Sequence, residues 1–156
     1  MQQVLNTIEI NESKKNFYDE QGYLIIPGLI NNTFINDLKN EVTNVMDKIG
    51  LGKSKLRQTT QYLEGSLLDS LINSLKLKEL AGKLMGGESS LYMPFTAVKS
   101  GNGGGQFHFH QDNQYTEFDK PGINFWFALS KMTLNNGCLQ VVPKSHLNGT
   151  FEAVSS

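Results

Sequence analysis

The sequence predicts an α+β fold in which helices come first and an antiparallel sheet follows, and three observations carry that prediction. Through the first half, apolar residues recur at spacings of three and four, the period of a helix with one buried face. From Ser89 onward the texture changes to short apolar runs bounded by glycine and asparagine turns. The 156 residues hold no internal repeat or low-complexity tract and suit one domain with a core of its own, a helical part at 1–88 and a sheet part at 89–156.

The elements follow in order. Ser13 to Gln21 reads as a short helix with Phe17 on its inner side, closed by Gly22. Tyr23 to Ile26 is a compact β-type run stopped by Pro27-Gly28. Asn32 or Thr33 can cap a longer helix whose apolar positions Phe34, Ile35, Leu38, Val42, Val45, Met46 and Ile49 make one stripe, and Gly50 closes it. That stripe is expected to cover a sheet. Gly50 to Thr60 reads as a polar loop whose Lys53, Lys55 and Arg57 are solvated; Arg57 is the only arginine. Helical patterns span Tyr62 to Ile72 and Leu75 to Met85, the second stopped by Gly86-Gly87. Strands are expected at Leu91 to Lys99, Phe107 to Asp112, Ile123 to Leu129 and Cys138 to Val142, with a tight turn at Asn136-Gly137. The glycine run between Ser100 and Gly105 matches no nucleotide-binding pattern, and no helix follows it, so it reads as a turn.

Bulk properties exclude several classes. A net charge of −1, from 14 basic and 15 acidic residues, argues against nucleic acid or an anionic membrane as partner. The polar opening from Met1 to Lys15 lacks the apolar centre of a signal peptide, and no run approaches a membrane span. With Cys138 as the single cysteine, an intrachain disulfide is impossible and a cytoplasmic setting is the expectation. Within its apolar run, Cys138 reads as a buried structural thiol.

The chemistry-bearing stretch is Phe107-His108-Phe109-His110-Gln111-Asp112. On extended backbone, residues two apart leave the same face, so His110 and Asp112 are expected to converge on one point while Gln111 points away. Side chains on opposite faces, or an Asp112 inside a helix, would rule out a shared metal ion. A His-x-Asp pair by itself is more often an ordinary hydrogen-bonded pair; the glycine-rich bend before it and the strand pattern after it raise its weight. His108 shares that face, but on a straight strand it lies about 13 Å from Asp112, too far for bonds of about 2 Å to one ion. It reads as a pocket-wall group. Only His146 remains as a further histidine, so a third ligand is either His146 or absent from these residues.

Four segments in order resemble the phytanoyl-CoA dioxygenase family of iron(II)- and 2-oxoglutarate-dependent oxygenases. Asn16 to Gly28 resembles its N-terminal helix and first strand, and His110-Gln111-Asp112 with Tyr115 resembles its iron motif. Asn124-Phe125-Trp126-Phe127-Ala128-Leu129 is similar to the strand whose tryptophan lies near 2-oxoglutarate. Asn135 to His146 is similar to the turn, strand and Pro-Gly-Ser-His corner that follow, with Lys144 standing where the family usually has glycine.

The resemblance implies helices packed on a double-stranded β-helix, a jelly-roll or cupin-like core. Such a core uses about eight strands, and at most five are found here, so the core is expected to be incomplete. It implies that His110 and Asp112 hold iron and that Trp126 packs beside 2-oxoglutarate. His146 matches the corner histidine; the second iron histidine and the arginine that binds 2-oxoglutarate lie beyond that corner in the family. The implied reaction hydroxylates an aliphatic carbon of a small organic or lipid-like substrate with O2, converting 2-oxoglutarate to succinate and carbon dioxide. Two alternatives stand beside it: a non-catalytic or truncated member acting as a binding module, and a cupin-like metalloprotein with another metal. Strands left without partners imply self-association through an open sheet.

Overall fold

In the computed structural model the described residues are 3–52, 54–100, 107–114 and 120–152. Four helices and a small antiparallel sheet make up the regular structure: α1 (Glu12–Gln21), α2 (Ile35–Lys48), β1 (Leu56–Thr59), α3 (Leu67–Ile72), α4 (Leu75–Met85) and β2 (Thr96–Lys99). The chain is therefore a mixed helix and sheet protein. Among the described residues the sheet has two strands.

The helices begin and end where local chemistry requires. Asn11 caps α1 by accepting from Lys14 N–H, and Gly22 ends it at φ 81°, donating back to Tyr18 O. Neither Asn32 nor Thr33 caps α2: Asn31 caps a 3-10 turn, Asn32–Phe34, that leads into it, and α2 itself has no side-chain cap. Gly86 ends α4 in the left-handed region at φ 77°. The segment 62–66 does not join the helix expected from Tyr62: Gly65 turns the chain at φ 75°, and the Ser66 hydroxyl caps α3 by accepting from Asp69 N–H. Phe17 is 42% exposed, not inward, and packs edge-on against Tyr23 with ring centroids 5.6 Å apart. A helix that buries no residue leaves it there.

The α2 stripe forms as its spacing predicts: Leu38, Val42, Val45 and Met46 are buried, Leu38 and Met46 completely. The sheet is only a minor part of what it covers, through Val98 of β2. The main partners of the stripe are an N-terminal arm, Val4 and Leu5, the segment Leu29-Ile30, and Leu68, Leu71 and Leu80 of α3 and α4. The arm is held by backbone bonds from Asn6 N to Leu29 O and from Asn31 N to Val4 O, 2.9 Å each, around a bridge between Leu5 and Ile30. The polar texture of residues 1–15 hid this role: among its described residues Val4 and Leu5 are buried, and Ile8 and Ile10 pack against the core from the side.

The sheet pairs Leu56 with Lys99 and Thr59 with Thr96. β1 lies in the segment read as a solvated loop. Its Arg57 side chain is only 15% exposed and donates to Asp47 Oδ1 of α2 at 2.8 Å, a half-exposed ion pair that ties the polar strand to α2 and that no apolar pattern announces. Tyr23–Ile26, Phe107–Asp112, Ile123–Leu129 and Cys138–Val142 do not pair as strands, and of Leu91–Lys99 only Thr96–Lys99 does. Cys138 is half-buried, not buried. Among the described residues, every buried hydrophobic side chain comes from 4–84. No helix there is long and apolar enough to cross a membrane.

Candidate metal centre

His110 and Asp112 do meet, though not on a strand. Asp112 opens a single 3-10 turn, Asp112–Gln114, and His110 lies in irregular chain just before it. Asp112 thus lies in a helical turn, one of the two outcomes set against a shared metal ion, and the period-of-two argument for convergence falls with the extended segment; the case for an ion then rests on the approach of the two side chains alone. His110 Nε2 nevertheless stands 3.4 Å from Asp112 Oδ1.

The reason lies in how this turn is anchored. Gln111 closes it, its N–H donating to Gln114 Oε1 (2.9 Å) and its carbonyl accepting from Gln114 N–H (3.0 Å). The Gln111 side chain then mimics a neighbouring strand: its Nε2 donates to Gly149 O (3.0 Å) and its Oε1 accepts from Phe151 N–H (2.8 Å). Asn113 Nδ2 donates to Thr150 Oγ1, and Gln114 Nε2 to Phe151 O. Amide side chains thus satisfy the backbone of 149–151 where a ladder would otherwise form. That exchange explains why a strand was expected at Phe107–Asp112 and a turn is found. Its signal was invisible locally, since the partners are about forty residues apart.

The donor chemistry suits a cation. His110 Nδ1 lies 2.8 Å from His108 O. A carbonyl only accepts, so Nδ1 carries the hydrogen, and in the neutral ring the lone pair sits on Nε2. Facing a carboxylate oxygen, Nε2 can share with it either a proton, as an imidazolium–carboxylate pair, or a metal ion. Two donors bonded to one ion at about 2 Å each stand no more than about 4 Å apart, so 3.4 Å fits. A backbone carbonyl that fixes the ring of a ligating histidine is the usual support for such a site. His108 supplies this through its carbonyl, not through its ring. The pair is open, with 37% and 62% of the two side chains exposed. Among the described residues no group of three His, Cys, Asp or Glu side chains comes together.

The remaining candidates lie on both sides of this point. Asn124 Nδ2 donates to Asp112 Oδ2. Burial alternates along 123–129, with Phe125, Phe127 and Leu129 packed against the core and Asn124 and Trp126 outward; Trp126 is 49% exposed. Phe125 and Phe127 stack with centroids 6.3 Å apart. Tyr115 and the glycines at 101–105 lie outside the described residues.

His146 is engaged elsewhere. Its Nε2 donates to Asp19 O at 2.9 Å and its ring lies on Gly22, where an added Cβ would be 2.3 Å from Nδ1. Lys144 N–H donates to Gln21 O (2.9 Å), and Lys144 Nζ pairs with Glu20 at 2.7 Å. The corner 143–146 thereby clips onto the C-terminal end of α1, where cationic and N–H groups complement the helix dipole. The Lys144 hydrogen bond and charge hold the Glu20 carboxyl below its ordinary value. Burial, then the Asp19 charge, pushes the Tyr18 hydroxyl up. Lys144 takes φ 65°, the left-handed conformation that favours glycine, so a lysine at this corner carries backbone strain that a glycine would not.

Comparison with known proteins follows the same residues. The family model described as phytanoyl-CoA dioxygenase (PhyH) matches residues 18–155. A rice (Oryza sativa subsp. japonica) protein named phytanoyl-CoA dioxygenase 1 is 36% identical over 86 residues, 54% of this chain and 27% of the rice protein. An Arabidopsis thaliana protein named phytanoyl-CoA dioxygenase is 45% identical over 47 residues, 30% of this chain and 17% of the plant protein. The chain thus spans about a quarter or less of the length of these curated relatives. No solved structure gives a significant match.

Proposed function

The chain belongs to the phytanoyl-CoA dioxygenase family, and from that footing we propose that His110 and Asp112 supply an imidazole and a carboxylate to iron(II) in a 2-oxoglutarate-dependent hydroxylation. The observation that carries this reading is the 3.4 Å approach of His110 Nε2 to Asp112 Oδ1, with Nδ1 held by His108 O. Bound iron(II) would supply the activation of O2 that no protein side chain provides, one oxygen atom going to the substrate carbon and the other into succinate. The chain's own part is positioning. His108 O fixes the His110 ring, and the amides of Gln111, Asn113 and Gln114 hold the turn that presents Asp112.

Trp126 is assigned to the 2-oxoglutarate side of the site, supported by its place on the same outward face as Asn124, whose amide reaches Asp112. The double-stranded β-helix is our reading of the whole architecture; the alternating burial along 123–129 is what supports it. A small organic or lipid-like substrate, O2 and a cytoplasmic setting complete the proposal. A net charge of −1 supports leaving nucleic acid and membranes out of it.

A second reading, a binding module without turnover, draws on one observation: among the described residues no third ligand joins the pair. Titration of the chain with manganese(II), an air-stable stand-in for iron(II), is expected to show weak saturable binding that disappears in His110→Ala and Asp112→Ala. Binding unchanged in both variants would sink the metal reading. With iron(II), ascorbate and 2-oxoglutarate, two protein ligands are expected to give no succinate. Robust succinate formation would show that another residue completes the site, and the binding module would fall.

A further inference from the structure

We infer that Asn124 is a positioning residue for the metal carboxylate, directing Asp112 to bind through Oδ1 alone. The inference rests on the metal reading above. Asp112 has two oxygens with different neighbours. Oδ1 faces His110 Nε2 at 3.4 Å, whereas Oδ2 accepts the Asn124 amide. A carboxylate whose second oxygen is occupied by an N–H donor binds a cation through one oxygen, and this leaves one more coordination position open than a chelating carboxylate would. Reactions that need a cosubstrate and O2 on one ion depend on such positions.

The mount is stiff enough for the task. Asn124 sits between Ile123 and Phe125 on a segment whose Phe125, Phe127 and Leu129 enter the core, with the first two stacked. Alternation then turns Asn124 outward to Asp112. On the other side, Gln111 and Gln114 tie the Asp112 turn to Gly149 and Phe151. The carboxylate is therefore aimed from two directions before any ion arrives. An amide fits this place better than a charged group: it donates to Asp112 without adding positive charge that would compete with the cation.

The test uses cobalt(II), whose visible absorption reports coordination number, on the purified chain and on Asn124→Leu, which keeps the branched shape and removes the donor. Asn124→Ala is the companion if the leucine variant misfolds, and circular dichroism checks both. The expected result is a loss of cobalt affinity of about tenfold together with a changed absorption band, as Oδ2 becomes free to chelate. Identical affinity and spectrum in a folded variant would overturn the role of Asn124 while the metal reading stands. A wild-type chain that binds no cobalt, or binds it equally in Asp112→Ala, would overturn the metal reading and this inference with it.

Discussion

His146 and Gly22 illustrate how one position decides another across the chain. The helix end needs a residue that tolerates φ 81°, and the histidine ring needs the space a side chain would fill. Gly22→Ala is expected to lower stability by about 2 kcal/mol or more, combining left-handed strain of about 1–2 kcal/mol with displacement of the ring. In Gly22→Ala/His146→Ala the clash is gone and only the strain remains, so the two substitutions should cost less than their sum in urea melts. Strict additivity would mean that the ring and the glycine do not share that space in solution. The neighbouring ion pair makes a pH prediction. Glu20 is held below its ordinary 4.5 by Lys144, so its contribution is present above that value and is lost as the pH falls through the lowered one. The melting temperatures of wild type and Lys144→Met should differ slightly at pH 6 in low salt and converge by about pH 3. A difference that persists at pH 3 would assign the effect to packing.

At the scale of elements, α3 depends on a residue of α2. Six residues are too few to hold a helix by propensity alone. Glu41 of α2 reaches its first turn, accepting from Leu67 N–H at 3.0 Å and Leu68 N–H at 2.9 Å, while Ser66 takes Asp69 N–H. Carboxylate bonds to a helix N-terminus are charge-assisted and favoured by the dipole. Glu41→Ala should destabilise the chain by about 1–2 kcal/mol, whereas Glu41→Gln, which keeps one acceptor, should cost less. Urea denaturation separates them; equal stability of wild type and Glu41→Ala would show that α3 is held by Leu68 and Leu71 alone.

Across the whole molecule, burial and exposure are distributed unevenly. Among the described residues the buried hydrophobic side chains lie in 4–84, while Phe95, Phe107, Phe109, Leu139, Val141 and Val142 are among the exposed apolar side chains that follow. Trp126 joins them, but Phe127 and Leu129 do not: both pack against the core, contrary to the exposure expected of an open strand. Apolar surface of this kind drives association. Gel filtration with light scattering is expected to show oligomers or aggregates that grow with concentration. A monomer with a cooperative melt would mean that the exposed residues make no sticky surface, and self-association would be withdrawn.

Much of this was readable from the amino acids themselves. The C-terminal ends of α1 and α4 and the α2 stripe follow from glycine and the helical period, because caps and amphipathic faces are local properties; the cap expected of Asn32 or Thr33 falls instead to Asn31, ahead of a 3-10 turn. The family likewise follows from short motifs, as does the choice of His110 and Asp112 as a pair. What needed the folded chain were the relations between distant segments. Arg57 is anchored because Asp47 meets it, β1 exists because residues 96–99 pair with it, and Val4-Leu5 is core because Leu29-Ile30 accepts it. The four β-type runs that form no ladder mark the same limit, since a strand is defined by its partner and not by its own residues. Asp112 turns on side-chain amides whose acceptors lie near residue 150, and Asn124 reaches it from twelve positions away. Spacing describes what one segment presents; which segment comes to meet it is a tertiary outcome, fixed by the core that brings the two together.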